Sequence, residues 1–192
     1  MRKIVVGITG ASGSIYGLRL IEELAKKDFL VHVIASKTAE KVIAYETNCI
    51  LKDFVDELNR SGSRLVLEDV DDFFASVASG SYKTDGMIVA PCSMGTLAQI
   101  ATGVSSSLLI RAADVCLKER RPLIVLARET PLNVINLENM LKITQAGAIV
   151  FPACPGFYSK PETLDDVIDF MVGKVLDALH VENDLFRKWG SD

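Results

Sequence analysis

The stretch "ITGASGSIYG", residues 8–17, joins a short apolar run at residues 3–6 to a helical pattern at residues 18–28. A glycine-rich turn between a strand and a helix is where α/β proteins hold phosphate, because backbone N–H groups and the helix N-terminus face the anion. The glycine spacing matches neither the dinucleotide motif GxGxxG nor the P-loop motif GxxxxGKS/T. The turn therefore predicts an α/β fold with an anion site, although tight packing alone would also explain its glycines.

Apolar strand patterns alternate with helical patterns along the rest of the chain. Strands are predicted at residues 3–8, 31–36, 86–91, 122–127 and 148–153, with a further short strand at 64–68 inside a less clear segment, 48–82. Helices are predicted at residues 17–28, 37–47, from 92 onward, 105–119, 133–147 and 162–179, the last capped by Thr163. We therefore expect one doubly wound, Rossmann-like parallel sheet with helices on both faces. Residues 1–192 are predicted to form this single domain, with a C-terminal tail at about 181–192 packed at a subunit contact.

Composition limits the classes of partner. Hydrophobic residues make up 49% of the 192 residues and the mean hydropathy is +0.27, which is more apolar than a monomer of this size needs. No run of about 18 uncharged apolar residues exists, so no membrane span is predicted and the surplus indicates surface buried between subunits. The net charge of −4 gives no general attraction to nucleic acid. The chain enters a strand pattern without a signal-peptide pattern, so we expect a cytoplasmic protein.

Cysteine and histidine usage argues against a metal site. The four cysteines include no CxxC pair, and the chain has two histidines. Zinc sites and disulfide frameworks need more such residues at closer spacing. We therefore expect four unpaired thiols and no bound metal.

Small hydroxyl residues follow two of the predicted strands. Ser36 stands where a dinucleotide site usually has an acidic residue that binds ribose, so the sequence argues against NAD. A ligand whose anion is a terminal phosphate, such as FMN, fits better, with a plain helix N-cap as the alternative role of Ser36. Ser93, Gly95 and Thr96 repeat the pattern after residues 86–91, and a flat heterocycle lying across both turns would fit.

Charged side chains follow a later strand. Arg128 and Glu129 come directly after an apolar run, and burying them would be costly unless they are paired or used in chemistry. Arg111 lies among apolar residues of a predicted helix, whereas Lys118 fits a solvated helix end equally well. Further candidates in the last quarter of the chain are Tyr158, Lys174 and Trp189.

The whole chain resembles the UbiX-type flavin prenyltransferases, a family formerly described as aromatic-acid decarboxylases. The resemblance extends over residues 1–190 and rests, in this order, on the blocks "GITGASGSIYG", "ASK", "YET", "APCSMGTLAQIATG", "RAADVCLKERRPLIVLARETPL", "NLENM" and "PGFY". It implies a flavoprotein that attaches a dimethylallyl group from dimethylallyl monophosphate to reduced FMN without a metal ion. It also implies a homododecamer with its site at subunit contacts. A separate UbiD-type decarboxylase, for example in ubiquinone biosynthesis, would receive the prenylated FMN.

The resemblance assigns roles residue by residue. It implies that FMN is bound by Gly10, Ala11, Ser12, Ser36, Ser93, Met94, Gly95, Thr96 and Arg128. It implies that the donor is bound by Tyr158, Lys174, Arg111, Lys118, Arg128 and Trp189, with Trp189 closing over the prenyl chain. The implied catalytic residues are Glu129, Glu46 and Ser12, with the two glutamates handling protons. Lys174 stands where some relatives have arginine, so it would hold a phosphate as a point charge rather than as a fork.

The charge pattern fits such a transfer without magnesium. Breaking the allylic C–O bond puts negative charge on the leaving phosphate, and the sequence has no DDxxD motif to hold magnesium. Fixed cations can stabilise a monophosphate as it leaves. One open alternative is an FMN-dependent decarboxylase of aromatic acids or cysteine conjugates, for which His32 and His180 are poorly placed as bases. The other is a non-catalytic flavin carrier, against which the adjacent charges of Arg128 and Glu129 and the cluster of cations argue.

Overall fold

The order of the strands determines which turns meet. A computed structural model describes residues 1–190, and within them six parallel strands form one sheet in the order β3-β2-β1-β4-β5-β6. The strands are Arg2–Ile8 (β1), Phe29–Ala35 (β2), Arg64–Glu68 (β3), Gly86–Cys92 (β4), Leu123–Ala127 (β5) and Ile149–Pro152 (β6). The chain moves outward from β1 to β3 on one side and from β4 to β6 on the other. The switch point therefore lies between β1 and β4, where doubly wound sheets bind ligands.

Helices cover both faces of the sheet. They are Ser14–Ala25 (α1), Lys37–Thr47 (α2), Leu51–Arg60 (α3), Met94–Thr102 (α4), Leu108–Lys118 (α5), Val134–Gln145 (α6) and Leu164–Ala178 (α7), with a short 3₁₀ helix at Ser76–Ala78. One hydrophobic core contains buried residues of α1, α2, α3 and α7, and the other contains buried residues of α4, α5 and α6. The predicted doubly wound architecture is confirmed.

Alternate side chains of the central strands supply the two cores. In β1, Ile4, Val6 and Ile8 belong to the core of α1 and α7, whereas Val5 belongs to the core of α4 and α5. Successive side chains of a strand point to opposite faces, so a strand between two helical layers needs apolar residues at every position. The apolar run at the start of the sequence meets this requirement.

The segment at 48–82, which the sequence leaves unclear, contains α3 and β3. The strand predicted at residues 64–68 is confirmed by its parallel pairing with β2. The sequence pattern does not predict α3, although Leu51, Phe54, Val55 and Leu58 have helical spacing and pack on the core. The N-cap of α3 is Ile50, which makes no side-chain hydrogen bond, so the usual start signal of a helix is missing.

The described part of the C-terminal tail packs on its own chain. The Asn183 side-chain amide is buried and donates to the Gly173 carbonyl at 3.3 Å. The Phe186 ring lies 5.0 Å from the Phe170 ring, and an added Cβ at Gly173 would lie 2.5 Å from Phe186 Cδ1. The subunit contact of the tail stays a prediction, and its last two residues, 191 and 192, lie outside the described residues.

Candidate functional site

The segments that follow β1, β2, β4, β5 and β6 meet at one edge of the sheet, here called the carboxyl edge. Thr9 joins two of them at the switch point. Its hydroxyl donates to the Pro91 carbonyl at 2.8 Å and accepts from the Ser93 N–H at 2.8 Å. Because Thr9 is 1% exposed, these hydrogen bonds are shielded from water. The turns after β1 and β4, both predicted to bind FMN, are therefore held side by side.

The turn after β1 is packed tightly against the start of α2. An added Cβ at Gly10 would lie 2.5 Å from Thr38 Cγ2, and Gly13 has a φ of 93°, which L side chains rarely adopt. The Ser36 N–H donates to the Ile8 carbonyl at 3.0 Å. The packing explanation of the glycines is therefore confirmed, and the same packing places Ser36 beside the turn.

A carboxylate of the same chain occupies the N-terminus of α1. Glu46, in α2, accepts hydrogen bonds from the Gly13 N–H at 3.1 Å, the Ser14 N–H at 2.9 Å and the Ser14 hydroxyl at 2.8 Å. Burial acts to raise the pKa of the Glu46 carboxyl, but hydrogen bonds from Ser12, Ser14 and Gly13 outweigh it and lower the pKa below its usual range. Within one chain this helix N-terminus is therefore already paired with a carboxylate, and its contact with a ligand phosphate stays a prediction. The part of the turn left for an anion is residues 10–12.

Both predicted phosphate-binding hydroxyls also cap helices. Ser36 Oγ accepts from the Ala39 N–H at 3.1 Å, and Ser93 Oγ accepts from the Thr96 N–H at 3.4 Å. The Ser93 hydroxyl donates to Thr96 Oγ1 at 3.2 Å. No acceptor for the Ser36 hydroxyl proton is found in residues 1–190. A hydroxyl can accept and donate at once, so the N-cap role of Ser36 leaves its proton for a ligand.

The first turn of α4 is open on one side. The Met94 side chain is buried in the core, so its backbone rather than its side chain is available to a ligand. An added Cβ at Gly95 would meet no atom within 4 Å. N–H groups in the first turn of a helix have no intrahelical partner, so this turn presents donors to an open space.

Arg128, directly after β5, has an unsatisfied donor. Its backbone N–H donates to the Cys92 carbonyl at 3.1 Å, which joins β5 to the end of β4. Its side-chain Nε is buried and has no hydrogen-bond partner within the described part of the chain. Arg128 also lines a cavity of about 380 Å³ together with Glu129, Leu132, Met140 and Cys154. Leaving a buried donor unpaired costs about 1–3 kcal/mol, so an acceptor-rich ligand such as FMN fits this position.

Glu129 is exposed, and its Oε1 accepts from the Thr130 N–H at 2.9 Å. Between residues 1 and 190 no ion pair joins it to the half-buried Arg128. The expectation that both charges are buried after β5 is therefore wrong for Glu129. The argument against a passive flavin carrier then depends on Arg128 and the other predicted cations, without Glu129.

Tyr158, in the loop after β6, is held by aromatic neighbours. Its ring centroid lies 5.5 Å from that of Trp189 and 5.5 Å from that of Phe170, both in edge-to-face geometry. Trp189 is 83% exposed, so one face of its ring is free to cover an apolar ligand. The structure thus brings together Tyr158 and Trp189, two of the predicted donor-binding residues.

Two other predicted donor-binding residues lie on α5. Lys118, at the end of α5, forms an ion pair with Glu119 at 2.9 Å. Arg111, in the first half of α5, donates to the Ala78 carbonyl at 3.0 Å and pairs with Asp114 at 2.9 Å. The end of α5 leads into the start of β5, so Lys118 lies at the edge opposite the carboxyl edge. Within one chain, Lys118 and Tyr158 therefore lie at opposite edges of the sheet.

Lys174 is also distant from the carboxyl edge of its own chain. It comes ten residues after Leu164, the first residue of α7, which corresponds to about 15 Å along the helix. The end of α7 contacts the start of β1, where the Arg2 guanidinium donates to the Leu179 carbonyl at 3.1 Å. Within one chain, Lys174 therefore lies nearer the opposite edge than the Tyr158 loop.

Sequence reasoning overlooks several residues that shape this site. Thr9 has the strongest structural role among these residues. The sequence feature that could have identified it is a hydroxyl residue between β1 and the glycine-rich turn. Lys160 and Arg187 join Tyr158 and Trp189 around a second cavity. The sequence feature that could have identified Lys160 and Arg187 is a cation two residues from an aromatic residue, in "YSK" and "RKW".

The described residues contain neither a metal-binding cluster nor a membrane-spanning helix. Within residues 1–190, no group of three His, Cys, Asp or Glu side chains is arranged to hold a metal ion. No helix in that range has the length and apolarity needed to cross a bilayer. The four cysteines are unpaired, and burial raises the pKa of the Cys116 thiol to about 11.

Sequence comparison relates the chain to known flavoproteins. A family model described as Flavoprotein matches residues 1–176. The flavin prenyltransferase UbiX of Halalkalibacterium halodurans is 50% identical over 191 residues, which cover 97% of this chain and 93% of that protein. The similarity therefore extends over nearly the full length of both proteins.

Comparison with solved structures also shows that the chain is similar to UbiX proteins. The crystal structure of AnUbiX in complex with FMN and dimethylallyl pyrophosphate has a TM-score of 0.91 and 42% identity, covering 99% of this chain and 98% of that one. The dodecameric FMN-dependent UbiX-like decarboxylase from Escherichia coli O157:H7 has a TM-score of 0.91 and 40% identity, covering 98% and 100%. The predicted fold is confirmed by both similarities.

Proposed function

The chain belongs to the UbiX flavin prenyltransferase family, and we propose that it transfers a dimethylallyl group from a dimethylallyl phosphate to reduced FMN. The single observation in the structure that carries this proposal is the buried Nε of Arg128, which has no hydrogen-bond partner among residues 1–190. It belongs to the carboxyl edge, where two turns with small hydroxyl residues are joined through Thr9. The AnUbiX structure contains both FMN and a dimethylallyl pyrophosphate, which supports this pair of substrates.

The FMN site uses the turns after β1, β2 and β4. Residues 10–12 and the free hydroxyl proton of Ser36 would bind the phosphate, while the open first turn of α4 would face the ring. Arg128 would satisfy its Nε with an acceptor of the flavin. Reduced FMN supplies the nucleophilic ring nitrogen and the electron-rich neighbouring ring carbon.

The donor site uses the loop after β6 and the tail. The Tyr158 hydroxyl and nearby cations would stabilise the negative charge that grows on the phosphate as the allylic C–O bond breaks. Trp189 would cover the five-carbon chain and exclude water, which otherwise captures an allylic cation. The edge-to-face contact of these two rings positions the hydroxyl and the apolar cover together.

The two glutamates have different surroundings, which separates their proposed roles. Glu46 accepts from backbone and hydroxyl donors, and its lowered pKa makes it a fixed carboxylate that positions the phosphate turn and Ser12. Glu129 is exposed, and among residues 1–190 the Thr130 N–H is the one donor to its carboxylate. Glu129 therefore has lone pairs available to take the proton released at the ring carbon, and we assign it as the catalytic base.

Donor binding requires residues from a neighbouring subunit. Lys118 and Lys174 lie away from Tyr158 in one chain, although the family resemblance implies that all of them contact the donor. A second copy that places its Lys118 or Lys174 against the Tyr158 loop resolves this difference. The active site is therefore proposed to be complete only in the oligomer.

The surface of α6 supports such an assembly. Val134 and Ile135 are 68% and 67% exposed, and Leu137 and Leu141 are more than half exposed, while α6 buries only Ile143. A monomer rarely leaves so many large apolar side chains of one helix in water. The preceding Leu132 lines the cavity of Arg128, so a second copy bound to α6 would also cover the site. We propose a homododecamer, as in the related protein from Escherichia coli.

The product is proposed to leave for a separate enzyme. A prenylated flavin formed here would serve a decarboxylase of the UbiD type, which is the recipient that the family resemblance implies. We place this exchange in the cytoplasm, which the four unpaired cysteines support.

An anaerobic assay tests the proposed reaction. The purified protein is incubated with reduced FMN and dimethylallyl monophosphate, and the extracted flavin is analysed by mass spectrometry. A flavin enlarged by one five-carbon unit is the expected product, and oxidised FMN serves as the control that should not react. Unmodified flavin from the complete mixture, or carbon dioxide release from an aromatic acid or cysteine peptide, would favour the decarboxylase alternative instead.

A further inference from the structure

The backbone of residues 78–82 is held beside the end of α5. The Arg121 guanidinium donates to the Gly80 carbonyl at 2.6 Å and to the Tyr82 carbonyl at 2.8 Å. The Tyr82 hydroxyl lies 2.9 Å from Nε2 of His32, which belongs to β2 and is 4% exposed. Hydrogen bonds from a charged donor are stronger than neutral ones, so this segment has a fixed position relative to α5.

A charged pair occupies the space that a side chain would fill at Gly80. A Cβ added at Gly80 would overlap Glu119 Oε1 and would lie 2.9 Å from Lys118 Nζ. The Lys118 ammonium donates to Glu119 Oε1 at 2.9 Å. The pair therefore lies directly against the Gly80 backbone, and only a residue without a Cβ leaves room for it there.

The end of α5 makes this pair possible. Adjacent residues inside a helix do not face each other, so a lysine and the glutamate after it seldom form an ion pair. Here α5 ends at Lys118, and Glu119 is the C-cap, with φ −89° and ψ 4°. The hydrogen bond from Lys118 lowers the pKa of the Glu119 carboxyl below its usual range, so the carboxylate stays charged at neutral pH.

The pair leaves Lys118 with donors for a ligand. An ammonium group has three N–H donors, and Glu119 is its one acceptor among residues 1–190. A free lysine side chain has many rotamers and loses this freedom when it binds a phosphate. A hydrogen bond that restricts the ammonium beforehand reduces the entropy lost on binding.

We propose that Gly80 and Glu119 are positioning residues for the prenyl transfer, which hold the Lys118 ammonium ready for the donor phosphate in the site of a neighbouring subunit. The inference rests on the proposed function, because that function gives Lys118 its contact with the donor. Gly80 provides the space for the ammonium, and Glu119 fixes its position. The carboxylate also repels a phosphate, so the proposal requires that positioning outweighs this repulsion.

Gly80→Ala tests the space beside the end of α5. The φ of Gly80 lies outside the left-handed region, and the added methyl group meets only the ends of flexible side chains. We therefore expect a folded chain with a displaced pair. The KM for dimethylallyl monophosphate in the anaerobic assay should rise about threefold to tenfold, with the FMN affinity unchanged. In a Lys118→Ala background, Gly80→Ala should leave the KM nearly unchanged, because the ammonium that it displaces is absent.

Two variants of Glu119 separate positioning from repulsion. A glutamine oxygen still accepts from Lys118 but has no negative charge, whereas alanine accepts no hydrogen bond. Glu119→Ala should raise the donor KM about threefold to tenfold, and Glu119→Gln should keep it at or below the wild-type value. Glu57→Ala, at an exposed glutamate of α3, is the control that should leave the KM unchanged.

Circular dichroism and analytical ultracentrifugation establish that each variant keeps the wild-type fold and assembly. If Gly80→Ala changes the assembly, the two Glu119 variants decide the inference. A donor KM that is unchanged or lower in Glu119→Ala, or an equal effect of Gly80→Ala with and without Lys118, overturns the positioning role and leaves the prenyl transfer intact. Wild-type protein that forms no prenylated flavin overturns the proposed function, and this inference with it.

Discussion

Ser14 donates two hydrogen bonds to one oxygen of Glu46, from its backbone N–H at 2.9 Å and from its hydroxyl at 2.8 Å. The pair ties the start of α1 to α2 across 32 residues of sequence. A carboxylate is favoured at a helix N-terminus, so the contact is stabilising before any ligand is present. It fixes the end of the turn at residues 10–12, so the turn that we propose to bind the FMN phosphate has a fixed backbone before the ligand arrives.

The lowered pKa of Glu46 predicts an acid-sensitive contribution to stability. Because the pKa in the folded state lies below its usual range, the contribution is complete above the ordinary glutamate value of about 4.3 and is lost as the pH falls through the folded value. Glu46→Gln should destabilise the protein at about pH 7 and much less at about pH 3. Urea unfolding at both pH values measures the difference. Glu57→Gln, an exposed glutamate of α3, is the control, and an equal deficit for Glu46→Gln at both pH values would argue against the assignment.

Glu129→Gln should bind FMN but form little product. A glutamine oxygen can still accept from the Thr130 N–H, so the local backbone is retained while the base is removed. General-base catalysis contributes about 10²–10⁴-fold, which sets the expected loss of kcat. Flavin fluorescence titration gives the affinity, and the anaerobic assay gives the rate. Full turnover by this variant would remove Glu129 from the mechanism.

Lys174→Ala should weaken the donor far more than FMN. A charge-assisted contact to phosphate predicts a rise of about tenfold or more in the donor KM, with the FMN affinity nearly unchanged. Lys174→Arg should recover most of the donor affinity. Lys52→Ala is the matched control on α3.

Subunit mixing tests where Lys174 acts. Tyr158→Phe and Lys174→Ala proteins are unfolded together, refolded and assayed as mixed oligomers. If the two residues belong to one site but to different subunits, some mixed sites contain both native residues and activity returns. Mixed oligomers no more active than the separate variants would indicate that both residues come from the same chain.

Ile135→Asp should break the assembly without unfolding the chain. Ile135 is 67% exposed in one subunit, so the substitution costs little in the monomer, and a buried aspartate is costly in an interface. Analytical ultracentrifugation should show species smaller than those of the wild type. Ile50→Asp, at a residue 63% exposed, is the control away from α6. An unchanged sedimentation coefficient for Ile135→Asp would rule out the α6 interface.

Gly173→Ala tests the docking of the tail. The added methyl group would overlap the Phe186 ring, and overpacking of this kind costs about 1–3 kcal/mol of unfolding free energy. The double variant Gly173→Ala/Phe186→Ala lacks the ring that the added methyl group would overlap. Its loss of unfolding free energy should therefore be smaller than the sum of the losses of the two single variants. Strictly additive losses in urea unfolding would mean that the two residues do not touch.

Local features of this fold are predictable from the sequence, and contacts between distant segments are not. The glycine turn, the hydroxyl residues after β2 and β4, and the Thr163 cap each depend on a few adjacent residues, and each is found where it is predicted. The helix α3 has the expected apolar spacing but no polar cap, so its start is missed.

The arrangement of the site depends on contacts that no sequence pattern contains. Glu46 looks like any exposed glutamate near the end of α2, and its contact with α1 exists only after both helices pack on the sheet. The sequence identifies Lys118 and Lys174 as candidate cations, but it does not show that α5 and α7 place them away from Tyr158. A sequence gives no distance between such residues.

A single-turnover measurement tests the central claim most directly. The purified chain is loaded with one equivalent of reduced FMN and mixed anaerobically with excess dimethylallyl monophosphate and EDTA, and the flavin mass and released phosphate are followed together. We predict that nearly every bound flavin gains one five-carbon unit and that one phosphate is released with each. Phosphate released while the flavin stays unmodified, or no change in either, would contradict prenyl transfer by this site.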